Sequence, residues 1–175
     1  MKIERFRDPS TNMKTLLIVY DTKTGGSLQM ALAAHQGARL ESAVKTELIH
    51  ASQAQPDLLM QADGYLFVMP ENLGTMSGLM KDLFDRCYYP LLGQIEGRPY
   101  ALMVCAGSDG HGAVKQAERI LTGWRLKAIG SARIILTHAQ TSQSILAPKR
   151  LEADKLAVCH EIGLTLASGL AASIF

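Results

Sequence analysis

The chain has 175 residues, 47% of them hydrophobic and 19% charged, and a net charge of +2. This suits one soluble domain with a sizeable core and excludes an intrinsically disordered chain. There is no basic stripe for nucleic acid and no acidic field for a basic protein partner, so no nucleic-acid partner is expected.

Residues 1–12, "MKIERFRDPSTN", are polar and unpatterned. They are expected to form a loosely held tail ahead of a single domain at 13–175. "KTLLIVY" (14–20) reads as a continuous apolar strand, and 26–42 reads as a helix with Leu28 and Leu32 at helical spacing. "VKTELIH" (44–50) alternates as a strand, and "PDLLMQAD" (56–63) is a short helix opened by Pro56. "GYLFVM" (64–69) is the next apolar strand, followed by a helix over 77–92 with Leu79, Met80, Leu83, Phe84 and Cys87 on one face. A strand at 98–106, a helix at 111–124, a strand at 131–138 and a long helix from Pro148 complete the series. Continuous apolar strands alternating with helices indicate a doubly wound parallel sheet covered on both faces. The final uncharged stretch, "IGLTLASGLAASIF", has 14 residues and is too short to span a bilayer.

Cys87, Cys105 and Cys159 are odd in number and contain no CxxC pair. A disulfide framework and a zinc site are therefore not expected, and reduced thiols fit a cytoplasmic protein. No histidine set has metal-ligand spacing, so no metal ligand is assigned.

Ligands of such a sheet sit beyond the carboxyl ends of the strands. Three loops lie there: 21–27, 70–77 and 106–112. In the first, "DTKTGGS", two glycines and three hydroxyls precede a helix. The helix N-terminus offers unpaired N–H groups and partial positive charge, which suit a phosphate. A polar turn closed by an N-cap serine is the plainer reading of the same residues. No lysine follows the glycines as a Walker A loop requires, and GxGxxG is absent. Lys23 stands where a D-x-D phosphatase needs its second aspartate, and Met69 where a receiver domain needs one. His111 replaces the arginine of a tyrosine-phosphatase loop six residues after Cys105.

Thr22, Thr24, Gly25 and Ser27 fit T-x-T-G-x-[ST], which resembles the flavodoxin-type loop for the ribityl phosphate of FMN. Pro70, Gly74, Met76, Lys81 and Asp85 match the P-x-x-x-G-x-M-x-x-x-x-K-x-x-x-D segment of WrbA-type NAD(P)H-dependent FMN-binding oxidoreductases. "AGSDGHG" (106–112) resembles that family's Gly/Ser-rich loop. Together the three loops carry the resemblance over residues 14 to about 172.

The resemblance implies a flavodoxin-like three-layer α/β/α sandwich whose five-stranded parallel sheet has the order 2-1-3-4-5. It implies FMN as cofactor, NAD(P)H as co-substrate, a small-molecule electron acceptor such as a quinone, and a homo-oligomer, dimer or tetramer. Thr22, Lys23, Thr24, Gly25, Gly26 and Ser27 are expected to hold the phosphate. Pro70, Glu71, Asn72, Leu73, Gly74 and Thr75 are expected along the ring edge. Gly107, Ser108, Asp109, Gly110, His111 and Gly112 approach from the other side, with His111 a candidate donor to the reduced ring. No general acid or base is assigned, because the flavin carries the chemistry. An electron-shuttling flavodoxin would be strongly acidic, and the +2 charge favours an oxidoreductase over a carrier.

Trp124, Tyr88 and Tyr89 lie outside the loops. Trp124 is expected to pack in the core, and the two tyrosines to serve as core or oligomer contacts. Lys81, Asp82 and Asp85 read as a solvated helix face.

Overall fold

The structure is a computed structural model that describes residues 13–175, so the tail at 1–12 lies outside the described residues. The elements in chain order are β1 (Lys14–Tyr20), α1 (Gly26–Ala38), β2 (Val44–His50), α2 (Pro56–Gln61), β3 (Gly64–Asn72), β4 (Thr75–Met76) and α3 (Gly78–Leu91). Then follow β5 (Pro99–Ala106), α4 (His111–Gly123), β6 (Lys127–Ala128), β7 (Arg133–Leu136), α5 (Ser142–Leu146) and α6 (Ala153–Ala171).

The sheet runs β2-β1-β3-β5, all parallel, with β6 and β7 both on the far edge of β5. This is the 2-1-3-4-5 order of a flavodoxin-like fold, with two differences from the five strands expected. First, the edge strand expected at 131–138 is split. Tyr100 pairs with Ala128 and Met103 with Arg133, so three steps along β5 face five along the edge. The two surplus residues bulge out around Gly130, which an edge strand tolerates. Second, β3 continues past Met69 to Asn72 and turns back antiparallel as β4, pairing Glu71 with Met76 and Asn72 with Thr75.

Successive residues of a strand face opposite sides of the sheet, so a buried strand feeds two cores. Leu17, Val19, Tyr65, Phe67 and Met69 face the side covered by α3 and α4, where Phe84 and Trp124 fill the space. Leu16, Ile18, Leu66 and Val68 face α1 and α6. Trp124 is fully buried and its indole N–H donates to the Tyr88 carbonyl at 3.0 Å. Tyr88 stacks on Trp124, whereas Tyr89 is exposed. The helix expected over 26–42 ends at Ala38, and the long final helix begins at Ala153 rather than Pro148. Among the described residues, no helix is long and apolar enough to cross a membrane. Nor does any group of three or more His, Cys, Asp or Glu in that span form a candidate metal site.

Candidate functional site

The carboxyl ends of β1, β3, β5 and β7 meet around a cavity of about 490 Å³. That is the size of a small-molecule site, at the place where a doubly wound sheet offers one.

The floor comes from the loop after β1. Asp21 is buried, and its carboxylate accepts from the Thr22 N–H at 2.8 Å and lies 3.3 Å from His50 Nε2. The Thr22 hydroxyl oxygen accepts from the Gly25 N–H at 3.1 Å. Gly25 is the N-cap of α1 at φ 88°, a left-handed conformation that glycine takes without steric cost. The chain thus enters α1 with no side-chain cap and no acidic residue in the first turn. Ser27, only 1% exposed, lines the cavity, and its Oγ has no hydrogen-bond partner. A buried hydroxyl left unpaired costs about 1–3 kcal/mol. An uncapped helix N-terminus and an unpartnered buried hydroxyl together offer hydrogen-bond donors to whatever occupies the cavity. Thr22, Thr24, Gly26 and the exposed Lys23 share this floor.

One wall is the β3–β4 hairpin. Its two turn residues, Leu73 and Gly74, have φ of 53° and 72°, the pair of positive values a type I′ hairpin needs. A leucine seldom adopts that conformation, and this one stands fully in solvent at the cavity mouth. The hairpin is fastened from behind. The Glu71 carboxylate accepts from the N–H groups of Gly110 at 2.9 Å and Ala113 at 3.0 Å, and Gln116 Oε1 accepts from the Met76 N–H at 3.0 Å.

That fastening separates the sequence-predicted residues. Thr22, Lys23, Thr24, Gly26 and Ser27 line the cavity, as do Pro70, Glu71, Asn72, Leu73 and Gly74, and Gly107 and Ser108. Gly25 stands behind them as the cap. Thr75 turns away, its hydroxyl donating to the Asn72 carbonyl at 3.0 Å. Asp109, Gly110, His111 and Gly112 lie off the wall. His111 is exposed, pairs with Asp109 at 2.7 Å and is not among the residues lining the cavity. Gly110 caps α4 in the left-handed region at φ 92°.

The third wall escaped the sequence reading. Thr137, Ala139, Ile145, Leu146 and Lys149 line the cavity from the segment after β7. Cys105, at the end of a buried strand and so beside the loops read from the sequence, also lines it. Helix α5 is started by a capping box in which Thr141 and Ser144 satisfy each other's backbone N–H. That T-x-x-S spacing was the one available signal. The Lys149 ammonium ends it, donating to the carbonyls of Ser144 and Ile145 at 2.8 Å each and of Ala147 at 2.6 Å. Burial pushes the Cys105 thiol up to about 11, against the lowering effect of Lys149 and Lys155. It is protonated at neutral pH. Among the described residues no aromatic side chain lines the cavity.

Known proteins share this architecture. A flavodoxin of Aquifex aeolicus (strain VF5) is 33% identical over 110 residues, covering 63% of this chain and 60% of that protein. An NAD(P)H dehydrogenase (quinone) of Acidithiobacillus ferrooxidans (strain ATCC 53993 / BNL-5-31) is 30% identical over 94 residues, 42% of this chain and 47% of that protein. The chain therefore spans about half to three-fifths of the lengths of these two relatives. The crystal structure of a WrbA-like flavodoxin from Agrobacterium tumefaciens superposes with a TM-score of 0.69 at 15% identity, covering 91% of this chain and 98% of that one. The sequence profile of the NADPH-dependent FMN reductase family matches residues 41–141, a span that holds the hairpin and the 106–112 loop but not the loop after β1. The chain belongs to the NADPH-dependent FMN reductase family and has its flavodoxin-like fold.

Proposed function

We propose that the cavity binds FMN and that the chain is an NAD(P)H-dependent oxidoreductase whose acceptor is a quinone or a similar small molecule. The open N-terminus of α1, with the unpartnered Ser27 hydroxyl inside it, carries this reading. The Ser27, Thr22 and Thr24 hydroxyls and the first-turn N–H groups would hold the phosphate, with Lys23 supplying the positive charge nearby. The Asn72 amide and the hairpin backbone would fix one edge of the ring, and Gly107 and Ser108 the opposite side. Bound there, FMN would supply hydride acceptance from NAD(P)H and onward electron transfer. The chain's own contribution is position, hydrogen bonding and exclusion of water, with no side chain needed as a general acid or base.

The absence of an aromatic side chain from the lining among the described residues supports turnover, because no ring of the chain stacks over the space a second substrate needs. The similarity to a protein named flavodoxin supports a second reading, an electron carrier without turnover. Added FMN should bind with quenched fluorescence and a shifted absorbance spectrum. Steady-state NAD(P)H oxidation with benzoquinone then separates the two readings. A rate no higher than that of free FMN would overturn the enzyme and leave the carrier. Three free, buried cysteines support a cytoplasmic setting. Exposed Tyr89 and Leu92 at the end of α3 support the homo-oligomer, dimer or tetramer, which sedimentation velocity tests.

A further inference from the structure

The loop after β1 and the segment carrying α5 are far apart in sequence but hydrogen-bonded into one unit. The Lys149 N–H donates to the Thr24 carbonyl at 2.7 Å. Gln29, one turn into α1, binds both sides. Its Nε2 donates to the Gly25 carbonyl at 2.9 Å and the Lys149 carbonyl at 2.8 Å, and its Oε1 accepts from the Leu151 N–H at 3.0 Å. The Lys149 ammonium closes the other end of the strap on the α5 carbonyls. Between these anchors, Ile145 and Leu146 stand 49% and 76% exposed at the cavity rim. Leu73 is likewise fully exposed at the mouth, on the hairpin. Large apolar side chains left in solvent around one opening mark a binding surface.

We propose that Gln29 is a positioning residue that locks the 141–149 strap to the loop after β1, so that Ile145 and Leu146 form a wall for an uncharged, apolar electron acceptor. The chemical class follows from the wall. Its lysine is spent on the carbonyls of Ser144, Ile145 and Ala147 and is not free to pair with an anionic acceptor, and its exposed side chains are aliphatic. The acceptor class rests on the flavin reading above. The strap's attachment does not, since every bond in it lies within the chain.

The two parts are tested separately. Hydrogen exchange is measured on the chain without cofactor, comparing wild type with Gln29→Met, which keeps the side-chain length and removes its three hydrogen bonds. The Lys149 and Leu151 amides should exchange at least tenfold faster while core amides of β1 and β3 are unchanged. Unchanged exchange at both amides overturns the lock. If Gln29→Met does not fold, Gln29→Glu serves. It retains the acceptor for the Leu151 N–H, so only the Lys149 amide should accelerate, and unaltered Lys149 exchange overturns the lock.

For the wall, KM for benzoquinone is measured with FMN-loaded protein. Gln29→Met should raise KM severalfold with kcat nearly unchanged. The same substitution should have little further effect in a Leu146→Ala background, because the residue acts through the wall. Additive effects in that cycle overturn the proposal, as does a sulfonated quinone matching benzoquinone in kcat/KM. Wild-type protein that fails to quench FMN fluorescence refutes the flavin reading and with it the acceptor wall. The exchange measurement then still decides the lock.

Discussion

The N-termini of α1 and α4 are built alike and used differently. Each follows a buried parallel strand, β1 or β5. Each is capped by a left-handed glycine, Gly25 at φ 88° and ψ −9° or Gly110 at φ 92° and ψ −18°. Neither has a side-chain cap of its own or an acid in its first turn. At α4 the Glu71 carboxylate fills the terminus from another element, bonding the Gly110 and Ala113 N–H groups. At α1 no carboxylate among the described residues bonds the terminus, and the Ser27 hydroxyl is buried without a partner. The same backbone device thus makes a structural joint in one place and, on the proposed function, an anion site in the other. What decides is whether the protein supplies the negative charge itself.

The largest test breaks the joint. A Cβ at Gly112 would lie 1.9 Å from the Gly74 carbonyl oxygen, a backbone atom that gives way only if the hairpin moves. Gly112→Ala must push the hairpin off α4 and is expected to cost about 3 kcal/mol of stability. Chemical denaturation measures the loss, and FMN titration should show weakened binding because the hairpin wall moves. A next step removes only the charge. Glu71→Gln keeps one acceptor but loses the carboxylate at the helix end, and about 1–2 kcal/mol of stability should go with it. A denaturation midpoint equal to wild type would mean the joint does not depend on charge.

Ser27→Ala should behave in the opposite way. Deleting an unpartnered buried hydroxyl removes a desolvation cost, so the cofactor-free chain should be as stable as wild type or more so. FMN affinity should fall by about 1 kcal/mol, roughly fivefold, through the lost hydrogen bond to phosphate. Titration by fluorescence quenching and thermal melts of the same preparation give both signs. A drop in stability without a drop in affinity would move the phosphate elsewhere.

The contrast between the two termini also marks where sequence reasoning stopped. The strands were readable because runs such as Leu16–Val19 and Tyr65–Met69 are apolar on both faces, a pattern that belongs to a covered parallel sheet. The three loops were readable from their position after those strands. Which loop residues face the cavity was not. Glu71 looks like a cofactor residue in the segment 70–77, yet its carboxylate is aimed at α4, and that pairing spans 39 residues of sequence. His111 reads as a candidate donor because it stands in a glycine loop, and it proves to follow the cap of α4 and to pair with Asp109. The α5 wall went unread because its signals are weak. A five-residue helix has no periodicity, and its tie to the loop after β1 runs through Gln29 and Lys149, 120 residues apart. Short-range patterns carry elements, while long-range polar contacts divide a site from its supports.

The smallest expected effect concerns the thiol beside the open terminus. A Cβ at Gly26 would lie 2.5 Å from Cys105 Sγ, so the sulfur sits directly under the first turn of α1. Burial pushes the Cys105 thiol up to about 11, and burial together with the neighbouring Cys105 does the same for Cys159. Below the ordinary thiol value of 9.0 both the folded and the unfolded chain hold these protons, and stability is unaffected. Between pH 9 and about 11 the unfolded chain releases them while the folded chain keeps them, so stability should fall as pH rises through that window. Thermal midpoints should drop by a few degrees from this source, and Cys159→Ala should flatten the slope. Any Cys105 thiolate that forms near the top of the window adds, beside the α1 N-terminus, the negative charge that α4 already has from Glu71. FMN affinity should then weaken with pH in wild type more than in Cys105→Ala, a comparison that subtracts the titration of lysines common to both. Equal pH slopes would show that the terminus and the thiol are electrostatically independent.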